Sequence, residues 1–436
     1  MTALLPQFGS LGITIIAFIV ALSIIVAIHE YGHYIVGRWS GIYAEVFSLG
    51  FGPVLFSRTD KRGTVWQIAA IPFGGYVKFL GDANAASVGG EAGGRNTMMG
   101  APIWARSATV LAGPMFNFIL SAIIFTGLAM TVGGVRDPLT VKDIQPLPQF
   151  YENGLQSGDE ILAVNGETLV ELADFSTALD NAGTDLSLDF TIRRDGTEMQ
   201  IVAPNPMLPY VIGTSPNSAA EEAGIQDGDV VLSVNDVPMA TFQQLISAIQ
   251  AEQGRSVALE IWRDGDVMTF DLTPKIGGAS DSDGYLEERY LVGISITNYL
   301  DWQTESLPFF EAAIGSVARV WDVITQSLQG LWLMITGKIS SCNLSGPVGI
   351  AQVSGEMARA GLLEFISLIA VLSTAIGMLN LFPVPVLDGG HLVFHAYEAV
   401  SGRPPNENVL RIMMMMGVML VLSLMIFGTL NDLLFC

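Results

Sequence analysis

The stretch from Ile15 to His33 reads IIAFIVALSIIVAIHEYGH. Its apolar part lies inside a window, Thr2–His29, that contains no Asp, Glu, Lys or Arg. Since about 20 helical residues cross a bilayer, this window is long enough to span one. The polar part, from His29 to His33, places two imidazoles four residues apart, on one face of a helix. The stretch therefore predicts a membrane helix that carries a metal-binding pattern.

Three more windows lack charged residues and are as long as a membrane span. They are Ser107–Val135, Phe365–Leu387 and Ile412–Asn431. The first window, Thr2–His29, has no basic residues ahead of it and no small-residue cleavage site, so we interpret it as a retained span rather than a signal peptide. We expect four transmembrane helices.

A fifth apolar segment, Pro308–Lys338, has a different pattern. Its large apolar residues recur at helical spacing, but it also carries Glu311, Arg319 and Asp322. A helix with one apolar and one charged face favours the membrane surface over the membrane interior. We expect an amphipathic helix on that surface.

The composition excludes several classes of protein. Half of the 436 residues are hydrophobic and only 14% are charged, which disfavours an ordinary soluble protein. The net charge of −22 disfavours a nucleic-acid-binding protein, because such a protein needs a basic face to neutralise phosphates. The two cysteines, Cys342 and Cys436, are too few for a disulfide framework, and the sequence leaves open whether they pair.

The distribution of charge predicts an orientation in the membrane. The loop from Tyr34 to Arg106 has seven basic and four acidic residues, whereas the segment from Arg136 to Leu363 has 11 basic and 32 acidic residues. Short loops rich in Lys and Arg stay on the cytoplasmic side. We therefore expect the first loop inside, and the acidic segment and both termini outside.

The acidic segment contains an internal repeat. Gly154–Gly166 and Gly224–Asp236 share seven of 13 residues at an offset of 70, which indicates duplicated structural units. Each copy continues with a helical pattern, an alternating strand and an Arg-Asp-Gly turn. The pattern resembles the PDZ domain, a small module that takes a peptide as an added strand. Two such modules could gate access, dock a peptide or act as spacers.

The pattern from His29 to His33 is the HExxH arrangement of zinc hydrolases. The two histidines hold the metal, and Glu30 reaches a water molecule bound there. A catalytic zinc needs a third protein ligand and an open position for that water. By the predicted orientation, the end of the third span lies on the same side as HExxH. On residue type alone, Asp388, His391 and His395 compete for the third position.

Three motifs together resemble those of the site-2 proteases, zinc metalloproteases that cut peptide bonds inside the membrane. They are HExxH in the first span, Gly-Pro-x-x-Asn-Phe at Gly113–Phe118 in the second, and Asn-x-x-Pro-x-Pro-x-x-Asp-Gly-Gly at Asn380–Gly390 in the third. The resemblance covers the whole chain. It implies a Zn2+ site formed by His29, His33 and Asp388, with Glu30 as the catalytic base.

The resemblance also implies a substrate class and a location. The expected substrates are single-span membrane proteins, such as an anti-sigma factor already shortened by another protease, or signal peptide remnants. The expected role is in an extracytoplasmic stress response. The expected location is the lipid bilayer of a bacterial inner membrane, with the PDZ-like modules and both termini in the periplasm and the active site near the cytoplasmic side.

The loop after the first span is expected to form a β-sheet. Tyr43–Phe56 and Val65–Leu80 alternate like strands, and Gly74 and Gly75 mark a turn within the second stretch. The resemblance implies that this sheet dips into the membrane beside the active site. There it would pair with an unwound substrate, because a helical peptide hides its carbonyls in its own hydrogen bonds.

Other residues of the motifs are expected to contact substrate or pack helices. The resemblance implies that Asn380 hydrogen-bonds the substrate backbone. Pro383 and Pro385 prevent a helix and are expected to leave an extended segment against the substrate. We interpret Asn117 as a hydrogen-bonding residue that packs two spans together.

Two other classes of protein stay open. A membrane-anchored PDZ receptor or assembly factor would hold a structural zinc with four protein ligands, and His391 or His395 could complete that set. A transporter is weaker, because four spans show no second inverted repeat. A zinc site with an open water position would distinguish an enzyme from a receptor.

The predicted fold class is a polytopic α-helical membrane protein with four transmembrane helices, a membrane-associated β-sheet and two tandem PDZ-like α+β domains. The predicted divisions are the first transmembrane helix at 1–38, the sheet loop at 39–104, the second helix at 105–135, the PDZ-like domains at 136–206 and 207–280, a linker with the amphipathic helix at 281–362, the third helix at 363–390, and a loop with the fourth helix at 391–436.

Overall fold

The computed structural model describes residues 5–81, 94–169, 172–215, 218–280, 286–336 and 346–435. The chain divides into two compact units. The helical unit comprises Met1–Thr131, Pro308–Trp332 and Ser341–Cys436, and the repeat unit comprises Val132–Leu307 and Leu333–Ser340. Cys342 and Cys436 lie outside the described residues, so their pairing stays open.

The described elements are helices and strands, with most of the strands in the middle of the chain. In chain order they are α1 (Leu5–Trp39), β1 (Ala44–Thr59), β2 (Val65–Phe79), α2 (Ile103–Thr131), β3 (Gly134–Val135), β4 (Val141–Ile144), β5 (Glu160–Val164), β6 (Glu167–Thr168), α3 (Leu172–Ala182), β7 (Ser187–Arg194), β8 (Thr197–Pro204), β9 (Tyr210–Thr214), α4 (Ala219–Ala223), β10 (Val230–Val234), β11 (Val237–Pro238), α5 (Phe242–Ala251), β12 (Val257–Arg263), β13 (Asp266–Leu272), β14 (Lys275–Ser280), β15 (Leu286–Leu291), β16 (Ile294–Thr297), β17 (Leu300–Trp302), β18 (Thr304–Glu305), α6 (Phe309–Ile335), α7 (Pro347–Ala360), α8 (Leu362–Asn380), α9 (Asp388–Ser401), α10 (Glu407–Leu430) and a π-helical turn (Asn431–Phe435).

Four helices of the helical unit are long and apolar enough to cross a membrane, as the sequence predicts. Their candidate spans are Leu11–Trp39, Ile103–Thr131, Leu362–Asn380 and Asn408–Leu433. The first helix continues past the histidines, so the HExxH pattern lies within it. The third ends at Asn380, seven residues before the charge-free window ends at Leu387 and ten before the predicted division at 390, because prolines follow and cannot continue a helix.

Small residues allow α1, α2 and α8 to pack closely. A Cβ atom at Gly32 of α1 would lie 2.9 Å from the carbonyl carbon of Ala112 in α2. One at Gly377 of α8 would lie 3.1 Å from Asn117 Cβ in α2. Ser373 Oγ of α8 donates a hydrogen bond to the Asn117 carbonyl at 2.9 Å. Such contacts stabilise helix pairs in membranes, where apolar side chains gain nothing by leaving lipid.

The amphipathic helix α6 packs against two of the membrane-length helices. Val320 and Ile324 lie in one apolar cluster with Phe125 of α2 and Ala370 of α8. Other apolar side chains of α6 are exposed, with Phe310 at 80% of its full accessible area. The predicted helix is present, and its position on a membrane surface stays a prediction.

Strands β1 and β2 form an antiparallel pair that folds back on itself. Val46 has both Lys78 and Val65 as partners, so the first half of β1 lies between the two halves of β2. The second half of β1 forms an outer edge on which Leu55 and Phe56 are exposed. The sheet expected from the sequence is therefore present, as four half-strands side by side, an order that the alternation alone did not indicate.

Each sequence repeat folds into a small module with its own sheet, helix and core. The first has the sheet order β6-β5-β7-β8 and packs α3 against it, around fully buried residues such as Phe190 and Ile192. The second has the order β13-β12-β10-β9-β16 and packs α5 against it, around Leu259 and Ile261. The repeat in the sequence is thus a repeat in structure.

A buried ion pair occupies the same place in both modules. Asp159 is fully buried and accepts a hydrogen bond from Arg194 Nε at 2.7 Å. Asp229, also fully buried, accepts one from Arg263 Nε at 2.6 Å. Each arginine also donates to the carbonyl of the glycine that begins its repeat motif. The part of the motif that the two copies share therefore fixes the turn before the central strand of each module.

The chain returns to the first module after it has completed the second. Strand β17 pairs with β4, and the buried Tyr299 donates its hydroxyl hydrogen to the Pro204 carbonyl at 2.7 Å. Strand β16 pairs with β9 of the second module. The structure thus differs from the predicted linker that begins at residue 281, because the strands described between residues 286 and 305 belong to the repeat unit. Strands this short leave little alternation in the sequence.

Candidate metal centre

Helix α1 brings its two motif histidines to one point. One helical turn separates His29 from His33, and their Nε2 atoms lie 3.1 Å apart. His33 donates its Nδ1 hydrogen to the Thr109 carbonyl of α2 at 2.8 Å. This hydrogen bond leaves His33 Nε2 without a proton and therefore free to bind a metal ion.

The third member of the cluster is Asp388, the first residue of α9. Its Oδ2 lies 3.2 Å from His29 Nε2 and 3.5 Å from His33 Nε2. The chain reaches this point through a tight loop, in which Gly389 and Gly390 lie against the carbonyls of Leu381 and Val384. A side chain at either glycine would collide with that backbone, so the Asp-Gly-Gly sequence is needed to place the carboxylate.

The donor set fits zinc. His29, His33 and Asp388 each offer one ligand atom, and these atoms all lie within 4.8 Å of one another. Ligands bound about 2.1 Å from a tetrahedral zinc lie about 3.4 Å apart, which is close to the three separations observed. Asp388 Oδ2 is also buried without a hydrogen-bond partner among the described residues. A buried carboxylate oxygen in that state needs a cation or a donor.

Glu30 lies beside this cluster without joining it. Its side chain packs against β2, where a Cβ at Gly75 would lie 3.1 Å from Glu30 Cγ. Its carboxylate accepts a hydrogen bond from the backbone N–H of Val77 in the same strand. Glu30 is therefore available for proton transfer next to a metal that the three other residues would bind.

The two remaining histidines, His391 and His395, do not belong to the cluster. His395 Nδ1 lies 3.2 Å from Ser107 Oγ, and burial, with the nearby positive charge of Arg106, lowers the pKa of His395 to about 4. Burial also lowers the pKa of His391. Among the described residues only three side chains converge, so the four-ligand structural zinc of a receptor has no support here.

The residues expected to contact substrate lie in two parts of the fold. Gly74 and Gly75 lie in β2, and Gly75 is the one that approaches Glu30. Asn380 ends α8, while Pro383 and Pro385 lie in the loop that leads to Asp388. The expected extended segment is wrong: this loop is folded into turns, with Val384 N donating to the Phe382 carbonyl at 2.7 Å.

The structure adds one residue that sequence reasoning assigned only to helix packing. Asn117 of α2 is fully buried, and its Nδ2 lies 3.3 Å from His29 Nδ1. Its place in the Gly-Pro-x-x-Asn motif was the only signal available in the sequence. Both metal-site histidines are thus contacted by α2 at their Nδ1 atoms.

An HExxH helix that meets an aspartate from a distant helix, among four membrane-length helices, defines the class of membrane-embedded metallopeptidases. A family model described as peptidase family M50 matches residues 17–424. The chain belongs to this peptidase family and is a zinc metalloprotease of the site-2 type.

Relatives resemble the chain over nearly its whole length. A protein of Agrobacterium fabrum named "Putative zinc metalloprotease" is 34% identical over 99% of this chain and 98% of its own. The "Regulator of sigma-E protease RseP" of Salmonella typhimurium is 32% identical over 95% of this chain and 97% of its own. Among solved structures, the PDZ domain of an SdrC-like protein from Listeria monocytogenes is 18% identical, covers 21% of this chain and 87% of that chain, and has a TM-score of 0.17.

Proposed function

We propose that this metalloprotease hydrolyses peptide bonds within the transmembrane segments of single-span membrane proteins. One observation carries the proposal: two of the three converging side chains, His29 and His33, lie inside the candidate span Leu11–Trp39. The third, Asp388, begins α9, eight residues after the candidate span Leu362–Asn380 ends. Ionisable residues inside a membrane are costly and therefore indicate function. A site placed there meets substrates that are themselves in the bilayer.

In this proposal His29, His33 and Asp388 hold the zinc. Zinc bound there supplies a Lewis acid and lowers the pKa of a bound water from 15.7 to about 7. Glu30 takes the proton from the attacking water and then delivers it to the leaving amine. The Val77 N–H holds the Glu30 carboxylate in the position from which this transfer begins.

Strand β2 is the proposed platform for the substrate. A transmembrane helix must unwind before any carbonyl reaches the site, and the freed backbone then needs new hydrogen bonds. The edge of β2 at Gly74 and Gly75 runs beside Glu30 and offers such bonds by strand addition. Asn380 is proposed to hydrogen-bond the substrate backbone, and Pro383 and Pro385 to shape the loop beside it. This assignment makes the sheet membrane-associated.

The proposed substrates and location follow the resemblance to relatives such as the Salmonella protease. The substrates are an anti-sigma factor shortened by a first protease and remnant signal peptides, so that cleavage regulates an extracytoplasmic stress response. The protein would lie in the inner membrane, with the repeat unit and both termini in the periplasm. In a variant without native cysteines, an impermeant thiol reagent added outside should label Glu198→Cys and not Lys61→Cys; the reverse pattern would refute the orientation.

We further propose that the two PDZ-like modules screen substrates. By the predicted orientation they lie outside, whereas the catalytic residues lie near the inner face. They are then too far away to position the scissile bond, but they can exclude proteins with bulky outer domains. A substrate would become accessible once a first protease has trimmed it.

The central test uses the purified full-length protein and a labelled single-span peptide. Glu30→Gln should retain zinc and lose cleavage by about 10²- to 10⁴-fold, because the attacking water loses its base. A zinc chelator should abolish cleavage by the wild type. Glu311→Gln, an exposed glutamate of α6, is the matched control and should cleave normally. Near-normal cleavage by Glu30→Gln would refute the proposed mechanism.

A further inference from the structure

Helix α2 contacts the outer nitrogen of each histidine in the metal centre. His33 Nδ1 lies 2.8 Å from the Thr109 carbonyl oxygen, a clear acceptor. His29 Nδ1 lies 3.3 Å from Asn117 Nδ2. The Nε2 atoms of both rings face Asp388 Oδ2, at 3.2 and 3.5 Å. Each ring therefore has the proposed metal position at its Nε2 atom and a polar group of α2 at its Nδ1 atom.

The orientation of the Asn117 amide is inconsistent with a metal-bound His29. A neutral imidazole that binds a metal through Nε2 carries its proton on Nδ1, so Nδ1 is a donor. Asn117 Nδ2 is also a donor, and two donors cannot form a hydrogen bond. Meanwhile Asn117 Oδ1 is buried without any partner among the described residues.

A half-turn of the amide resolves both problems. The oxygen and nitrogen of an asparagine side chain have nearly the same shape, and their assignment follows from the hydrogen-bond network. After the rotation, Oδ1 occupies the position 3.3 Å from His29 Nδ1. The oxygen without a partner then accepts the hydrogen of His29.

We propose that Asn117 is a positioning residue of the metal centre. Its Oδ1 accepts the Nδ1 hydrogen of His29 and so fixes the tautomer and the ring orientation in which Nε2 binds zinc. The inference rests on the proposed ligand set. Partners of this kind orient the ligands of metal sites and raise the basicity of the imidazole.

The surroundings of Asn117 hold its side chain in place. Its backbone carbonyl accepts hydrogen bonds from Ser121 Oγ at 3.0 Å and from Ser373 Oγ of α8 at 2.9 Å. Gly377 of α8 brings backbone against Asn117 Cβ. The same residue thus fixes α8, whose end leads to Asp388, and the ring of His29.

The test measures zinc affinity of the full-length protein by competition with a chelator. Asn117→Leu, which has a similar shape and no acceptor, should weaken zinc binding by about 10- to 100-fold. Asn117→Asp should bind zinc within a few-fold of the wild type, because a carboxylate also accepts the Nδ1 hydrogen. The cobalt-substituted protein should show a changed visible spectrum in the leucine variant and a near-native one in the aspartate variant. If the leucine variant does not fold, Asn117→Ala removes the acceptor without adding a bulky side chain.

Ser121→Ala is the matched control for a purely structural role. It removes a hydroxyl that contacts the Asn117 carbonyl at 3.0 Å and the Ala370 carbonyl of α8 at 2.7 Å, and it leaves the amide untouched, so zinc affinity should not change. Wild-type zinc affinity in Asn117→Leu, or equal losses in the leucine and aspartate variants, would overturn the inference. His29→Ala and Asp388→Ala test the ligand set itself: if both retain wild-type zinc affinity, the proposed ligands are wrong and the role of Asn117 fails with them.

Discussion

Gly113 of α2 lies where the two histidine rings leave no room for a side chain. A Cβ atom there would overlap His33 Nε2 and lie 2.8 Å from His29 Cε1, and Cβ contacts below 3.0 Å essentially do not occur. The glycine of the Gly-Pro-x-x-Asn motif therefore belongs to the metal centre as well as to the helix interface. It lets α2 come close enough for Thr109 and Asn117 to reach the histidines.

Gly113→Ala should displace a ligand ring and lower zinc affinity by about tenfold or more. Peptide cleavage should fall with it, while the folded fraction in detergent stays high, since alanine favours the helix more than glycine does. Zinc content after dialysis against a chelator measures the effect.

Gly127→Ala on the same helix is the control for Gly113→Ala. An added Cβ at Gly127 would meet nothing within 4 Å. This variant should keep both zinc and activity. If the two alanine variants behaved alike, the close contact at Gly113 would not matter for the site.

Between elements, an ion pair of Arg106 and Glu398 links α9 to the beginning of α2. Arg106 donates to both carboxylate oxygens of Glu398, at 3.0 and 2.7 Å, and its side chain is only 8% exposed. Because α9 begins at Asp388, this pair holds the helix that carries the third ligand position. Breaking a buried pair leaves one charge without compensation, which costs about 3–5 kcal/mol.

Glu398→Ala should therefore destabilise the helical unit by about 3 kcal/mol, observed as a lower thermal unfolding midpoint in detergent. The double variant Arg106→Met with Glu398→Leu removes both charges and should recover most of the loss. If the double variant were as unstable as Glu398→Ala, packing rather than the unpaired charge would explain the effect.

His395 of α9 gives this region a dependence on pH. Burial, with the nearby Arg106, lowers the pKa of His395 to about 4 in the folded protein, while an unfolded histidine has a pKa of about 6.5. The neutral form is thus favoured by folding, and this stability is present above pH 6.5 and lost as the pH falls towards 4. Between pH 7 and pH 5 the loss is up to about 2 kcal/mol.

His395→Gln should reduce this loss of stability between pH 7 and pH 5. The measurement is the thermal unfolding midpoint of both proteins at several pH values. The same slope in wild type and variant would show that other groups cause the acid sensitivity.

In the whole molecule, the two ends of the segment Val132–Leu307 of the repeat unit meet in one short antiparallel strand pair. Val135 of β3 pairs with Thr304 of β18, and Arg136 N donates to the Gln303 carbonyl at 2.8 Å. All the described strands of both modules lie between these two points. A deletion that begins and ends beside this strand pair removes all the described strands of the modules. A deletion that began before β4 and ended at Pro274 would leave β17 without its partner β4.

Replacement of Asp137–Trp302 by an Asn-Gly turn should leave the helical unit folded and active, because a two-residue Asn-Gly turn can join two antiparallel strands into a hairpin. If the modules screen substrates, this variant should cleave a trimmed single-span substrate normally and should also cleave the untrimmed form. The measurement is the cleavage rate of both substrates, with the same deletion carrying Glu30→Gln as the inactive control. Loss of cleavage of the trimmed substrate would show that the modules recruit substrates instead.

Local patterns in the sequence are enough to predict the helices, the repeat and the histidine pair. Charge-free windows predicted four membrane-length helices, and the 70-residue offset predicted two similar modules. The spacing of His29 and His33 predicted one convergent pair, because residues four apart share a face of a helix. These features depend on neighbours along the chain, which is why they are readable without a fold.

Contacts between distant residues depend on the tertiary structure. No periodicity relates His29 to Asp388, and residue type left His391 and His395 as equal candidates until the fold brought the aspartate alone into the cluster. In the same way, β17 joins β4 across the whole second module. Such contacts follow from helix packing and strand pairing over long separations. Among the helices, α2 approaches α1 at Gly32 and α8 at Gly377 closely because neither glycine has a side chain.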